Sequence, residues 1–187
     1  MKELSLHILD IAQNSLTAKC SLLEIEVDED IPKNRLVIII RDNGCGMSEE
    51  MVRRVSDPFT TTRTTRKVGM GIPLFKEAAE SAGGSFTIES QLGVGTTVCA
   101  KFQYDHIDRQ PLGNMADTLP IIIGNCENAD LVYIHRVNER RFVLDTREIR
   151  TILGEEIALS APDVMAWIRD YVKEGEAELN KTGGNRP

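Results

Sequence analysis

Asp10 and Asn14 stand four residues apart in the run Asp10-Ile11-Ala12-Gln13-Asn14-Ser15. On a helix that spacing puts both on one face. An amide oxygen is a hard donor suited to Mg²⁺, which takes few of its oxygen ligands from protein. A carboxylate one turn away can orient or deprotonate a water or a hydroxyl. The pair also reads as a solvated helix face. A second group follows a β-branched run: Asp42-Asn43-Gly44-Cys45-Gly46-Met47. An ionised Asp42 only accepts hydrogen bonds. It therefore suits an amino group such as that of adenine and disfavours a carbonyl such as that of guanine. Gly44 and Gly46 allow a tight turn and close backbone approach. Asp-Asn-Gly is also an ordinary strand-ending turn.

The third group is Asp57-Pro58-Phe59-Thr60-Thr61-Thr62, then the basic residues Arg63, Arg66 and Lys67, then Gly69-Met70-Gly71-Ile72. Glycines at the mouth of a helix free its backbone N–H groups to hold phosphate, and the helix dipole assists. The basic side chains can neutralise a triphosphate. The fourth is Gly93-Val94-Gly95-Thr96-Thr97. It reads either as a hairpin turn or as a place from which a Thr hydroxyl reaches an adenine edge, directly or through water.

These groups need elements to position them. Leu4 to Ala18 reads as an amphipathic helix, with Ile8, Leu9, Ile11, Ala12, Ser15 and Leu16 on its apolar side. His7, Asp10, Gln13, Asn14 and Thr17 fall on the polar side, where His7 suits capping contacts or support of a metal site. Leu22 to Val27 alternates as a half-buried strand. Residues 28–34, with Pro32, form a turn, and Arg35 to Arg41 encloses a strand buried on both faces. Ser48 caps a short helix. Residues 57–71 read as a loop, and Pro73 opens a helix that ends at Gly83-Gly84. Ser85 to Ser90 and Thr96 to Tyr104 are strands.

Residues 1–104 thus read as one domain that carries all four groups, 105–118 as a connector, 119–180 as a small α/β extension and 181–187 as a frayed tail. The extension has an apolar stretch at 119–123, strands near 131–136 and 140–145, and helices near 146–153 and 161–179. The last helix has Ser160 as its cap and Pro162 in its first turn, and Trp167 belongs to the core. Composition narrows the function classes. A net charge of -7 argues against general nucleic-acid binding. The apolar runs are too short to span a bilayer, and the N-terminus lacks signal-peptide character. Four cysteines without metal spacing read as reduced thiols of a cytoplasmic protein.

The order and spacing of the four groups resemble the N, G1, F, G2 and G3 boxes of the GHKL ATPase superfamily. That group includes DNA gyrase B subunits, heat-shock chaperones of the ninety-kilodalton class, histidine kinases and MutL. The resemblance covers about residues 4–104 and is closest to histidine kinases and anti-sigma-factor serine kinases. It implies a two-layer α/β sandwich, with helices on one face of a mixed sheet. It implies ATP and Mg²⁺ as ligands, with Asn14 on the metal and Asp42 on the adenine amino group. Gly44, Gly46 and Met47 would shape the base site together with Thr96. Gly69 and Gly71 would cradle phosphate, and Phe59, Thr60, Thr61, Arg63, Arg66, Lys67, Met70 and Ile72 would complete the nucleotide site. Asp10 stands where several branches place a catalytic Glu and histidine kinases usually have Asn. Thr17 stands where gyrase-like members have Asp.

No helical phosphoacceptor domain precedes the first box in this sequence, and His7 lies too close to the pocket helix to serve as a mobile acceptor. The segment after Tyr104 is small for a transducer domain. Two expectations follow. One is a stand-alone kinase that moves the γ-phosphate of ATP to a separate protein, with Asp10 as base. The other is a non-catalytic ATP-dependent switch that controls a partner complex. In both, the C-terminal extension is available to dock a partner or a second copy.

Overall fold

The structure is a computed structural model that describes residues 2–56, 71–154 and 156–181. Among the described residues six helices and six strands follow in the order α1 (Leu4–Thr17), β1 (Leu22–Asp30), β2 (Arg35–Asp42), α2 (Glu49–Val55), α3 (Gly71–Ser81), β3 (Ser85–Gln91), β4 (Gly95–Gln103), α4 (Met115–Gly124), β5 (Asp130–Val137), β6 (Arg140–Asp145), α5 (Thr146–Leu153) and α6 (Pro162–Leu179). The strands form one sheet in the order β3-β4-β2-β1-β5-β6. All neighbours are antiparallel except β1 and β5. The sheet is therefore mixed, as the resemblance implies.

Strand period decides which face is covered. Leu23, Ile25 and Val27 of β1, Leu36, Ile38 and Ile40 of β2, and Val98, Ala100 and Phe102 of β4 are almost fully buried. They meet α1 and α3, which bury Leu4, Ile8, Ile11, Phe75 and Ala79. β5 adds Leu131 and Tyr133 to the same layer, and α6 covers them with Val164, Ile168 and Val172. α4 packs between α1 and α6. The opposite face of the sheet carries charge. Glu26 there accepts from Arg41 at 2.8 Å and from Arg136 at 3.2 Å.

Several boundaries move. β1 runs to Asp30, beyond the expected Val27, because it pairs with β2 along its whole length. The apolar stretch near 119–123 is a helix from Met115, capped by the Asn114 side chain, which accepts from Asp117 N–H. Ser160 does not cap α6. Ala161 holds the cap position and makes no side-chain bond. Trp167 is not in the core. It is 49% exposed and stacks on Tyr171 with centroids 5.1 Å apart.

One polar cluster is buried where α6 meets the sheet. His135 Nε2 lies 2.8 Å from Glu29 and its Nδ1 lies 2.9 Å from Glu176, which also accepts from the Tyr133 hydroxyl at 2.6 Å. Burial pulls the His135 imidazole down, but the hydrogen bonds to Glu176 and Glu29 outweigh it and lift the ring to about 9. A buried imidazolium thus joins β1, β5 and α6.

Candidate nucleotide site

The site begins where the end of α1, the end of β2 and the start of β4 meet, at one end of the central strands of the sheet. Asp42 is the last residue of β2 and pairs in register with Thr96 of β4. The turns on either side are held by glycines. Gly46 has φ +66°, and a Cβ there would lie 1.9 Å from the Gln91 carbonyl oxygen. Gly95 has φ +139°, and a Cβ would lie 2.0 Å from the Asp42 carbonyl oxygen. Side chains at either position would push the two turns apart and open the site. Cys45 N–H donates to the Ala18 carbonyl at 3.0 Å, and Gly93 N–H donates to the Cys45 carbonyl at 2.8 Å. The turn after β2 is therefore bonded to both α1 and the β3–β4 hairpin.

Between them lies a cavity of about 280 Å³. Its apolar walls come from Ile11, Ile40, Met47, Met51, Ile72 and Val98. Its polar groups are Asn14, Ser15, Thr17, Asp42 and Thr96. An apolar slot with a few convergent polar groups is the usual form of a small-ligand site. The Asp42 carboxylate is fixed at both oxygens. Ser15 Oγ donates to Oδ2 at 2.7 Å, and Gly44 N–H donates to Oδ1 at 2.9 Å. Thr96 is held by Ser90, whose Oγ lies 2.8 Å from the Thr96 hydroxyl and also accepts from Met47 N–H at 2.8 Å.

Of the residues singled out in the sequence, Asn14, Asp42, Gly46, Met47, Ile72 and Thr96 line this one cavity. Gly44 packs against Ala18 beside it, and a Cβ there would lie 2.8 Å from the Ala18 carbonyl oxygen. Asp10 and Gly71 are neighbours of each other next to the cavity. A Cβ on Gly71 would stand 3.2 Å from Asp10 Oδ2, so the carboxylate sits against the start of α3. Phe59, Thr60, Thr61, Arg63, Arg66, Lys67, Gly69 and Met70 lie outside the described residues. The donors near the cavity suit Mg²⁺. One amide oxygen from Asn14, with Asp10 one turn earlier, matches an ion that completes its shell with phosphate oxygens and water. Among the described residues no three His, Cys, Asp or Glu side chains converge on a metal-sized site.

His7 corrects the sequence reading. It does not lie on a solvated face. It is 1% exposed and stacks on Phe75 at 5.2 Å, with Nε2 3.1 Å from Gln110 Oε1. The cause is the segment after Tyr104, which folds back over the start of α1. Leu4 N–H donates to Pro111 and Ser5 N–H to Leu112, at 2.9 and 2.7 Å. Burial holds the His7 ring below its ordinary range, and the Gln110 hydrogen bond offsets only part of that. Two polar residues had no signal in the sequence as site residues. Ser15 falls on the apolar side of the helix pattern, and Ser90 is an ordinary strand serine. The packing of α1 on the sheet brings Ser15 to the cavity, and the pairing of β3 with β4 sets Ser90 against Thr96, which lines it.

Comparison with known proteins decides the family. Residues 2–106 match the family described as histidine kinase-, DNA gyrase B-, and HSP90-like ATPase. The chain belongs to this ATPase family. Its relatives in this histidine kinase-like group include the histidine protein kinase DivJ of Caulobacter vibrioides, 36% identical over 70 residues, which are 35% of this chain and 12% of DivJ. The sensor protein SrrB of Staphylococcus aureus is 36% identical over 83 residues, covering 42% of this chain and 14% of SrrB. The chain thus matches only a small part of these curated relatives. The N-terminal domain of a DNA repair protein shares the fold, with a TM-score of 0.54 at 12% identity. That likeness covers 83% of this chain and 58% of the other, more of this chain than the family match at 2–106. Among the described residues no helix is long and apolar enough to cross a membrane.

Proposed function

We propose that this histidine kinase-like ATPase binds ATP with Mg²⁺ and uses it to regulate a separate protein, by transferring the γ-phosphate to it. The observation that carries the reading is Asp42, fixed at the rim of an apolar cavity that Asn14 also lines. Asp42 accepts from the adenine amino group, and the apolar walls hold the ring. Asn14 would hold Mg²⁺, and a bound ion would supply screening of phosphate charge there. The N-terminus of α3 at Gly71 offers backbone N–H groups to the phosphates. Asp10 sits against that terminus. It takes the proton of an acceptor hydroxyl as its oxygen bonds to the γ-phosphorus and ADP leaves. The acceptor is a Ser or Thr of the partner.

A second reading is a switch without transfer, and one observation favours it. α1 carries Asp10 and Asn14 and is strapped at its start to Pro111 and Leu112. Ligand binding at α1 is thereby linked to the segment that leads to the C-terminal elements. The exposed Trp167–Tyr171 stack on α6 supports that region as the docking surface, for a partner or a second copy. The acidic net charge of -7 supports a protein partner over nucleic acid.

Labelled ATP with Mg²⁺, incubated with the chain in cell extract, separates the readings. Transfer predicts label on another protein that disappears with Asp10→Ala. Stoichiometric ATP binding with no label transferred under any condition selects the switch. Absence of ATP binding defeats both.

A further inference from the structure

Ser15 forms a hydrogen bond to the Asp42 carboxylate that lines the cavity, and the proposed function leaves it without a role. It is 4% exposed, on the inner side of α1, immediately after Asn14. Its Oγ donates to Asp42 Oδ2 at 2.7 Å, while Gly44 N–H holds Oδ1 at 2.9 Å. The two donors come from different elements, the pocket helix and the turn after β2. Together they fix the rotation of the carboxylate.

From this geometry we infer that Ser15 is a positioning residue that sets the purine specificity of the site; the inference rests on the reading of Asp42 as the base-binding group. A hydroxyl has one hydrogen and each carboxylate oxygen accepts more than one. The single Ser15 hydrogen is committed to Asp42, so this corner of the cavity presents acceptors only. A ligand that brings an amino group completes the set. A ligand that brings a carbonyl oxygen, as inosine and guanosine do, meets acceptor against acceptor. Of the other hydroxyls that line the cavity among the described residues, Thr17 donates to the Gln13 carbonyl at 2.8 Å and Thr96 lies 2.8 Å from Ser90 Oγ. Without Ser15 the carboxylate is held at one oxygen only. It can then turn, the match to an amino group weakens, and the clash with a carbonyl is relieved.

The test is calorimetric titration of the full chain with ATP and with ITP, each with Mg²⁺. Wild type is expected to prefer ATP. Ser15→Ala is expected to weaken ATP binding about tenfold, the scale of one hydrogen bond to a charged group. ITP affinity stays nearly level, so the ATP/ITP ratio collapses by about the same factor. Ser15→Thr, which keeps the hydroxyl, restores the ratio. Should Ser15→Ala fail to fold, Ser15→Cys fills the space with a far weaker donor and reads the same ratio. A general packing defect would weaken both nucleotides equally, and that result overturns the inference. Asp42→Ala separates the two levels. If it abolishes ATP binding while Ser15→Ala leaves the ratio unchanged, the role of Ser15 is wrong and the site reading stands. If Asp42→Ala leaves ATP affinity intact, the site reading fails and the inference with it.

Discussion

Replacing His135 by glutamine removes the cation buried between β1, β5 and α6, and the consequence follows from its two carboxylate partners. His135 has an ordinary value of 6.5 and is lifted to about 9 in the fold; burial opposes the shift, and the hydrogen bonds to Glu176 and Glu29 drive it. Burial pushes the Glu29 carboxyl up, but the hydrogen bond and charge of His135, together with the Tyr104 hydrogen bond and the Arg109 charge, hold it below the usual carboxylate range. Below pH 6.5 the ring is protonated in both folded and unfolded chains, and the cluster contributes fully. As pH rises from 6.5 towards 9, the unfolded chain gives up the proton first and the folded chain keeps it, so stability falls. The gap corresponds to roughly 3 kcal/mol, at about 1.4 kcal/mol per pH unit. Urea unfolding followed by circular dichroism across that window checks the sign and the size. Wild type is expected to lose about 3 kcal/mol between neutral and alkaline pH. His135→Gln starts lower by several kcal/mol, because two carboxylates lose their partner, and shows none of this slope. An equal slope in the two proteins would refute the buried imidazolium.

Gly175→Ala inverts a general rule. Alanine inside a helix is ordinarily better than glycine by about 1 kcal/mol, but a Cβ here would lie 2.2 Å from the ring of Phe142. The variant is expected to unfold at lower urea by about 1–3 kcal/mol; a gain in stability would contradict the docking of α6 on β6. Gly95→Ala, with φ +139° and the Asp42 carbonyl in the way, is expected to lower the melting temperature and abolish nucleotide binding in a titration. His7 works in the opposite sense to His135. Its buried ring resists protonation, so wild type loses stability as pH falls below 6.5, and His7→Phe is expected to flatten that part of the profile.

Much of this was legible in the sequence because it is local. The β-branched run of β2, the alternation of β1 and the Gly-rich turns announce their conformations from their own residues. Asn14, Asp42 and Thr96 could be singled out because their neighbours in sequence create the turns and helix that carry them. His7 could not, because the segment at 110–112 that buries it lies a hundred residues away and has no pattern of its own. The parallel pairing of β5 with β1 was hidden for the same reason, as it joins Leu22, inside the family-matched stretch, to Asp130, beyond it. Ser15 reads as a small core residue until strand register places Asp42 beside it. Trp167 reads as core by its size, but the face of α6 that packs inward is the one carrying Val164, Ile168 and Val172, and the Trp167 ring stacks outside on Tyr171.

The most direct test is calorimetric titration of wild type and Asp42→Asn with ATP, in the presence of Mg²⁺. An amide in place of the carboxylate turns its NH2 towards the Gly44 N–H or towards Ser15 Oγ, and either choice disturbs the set of acceptors offered to an amino group and loses a charge-assisted hydrogen bond. ATP affinity is expected to fall by about 2 kcal/mol, roughly thirtyfold, with the fold unchanged by circular dichroism. An Asp42→Asn protein that binds ATP as tightly as wild type would contradict the placement of the nucleotide in this cavity.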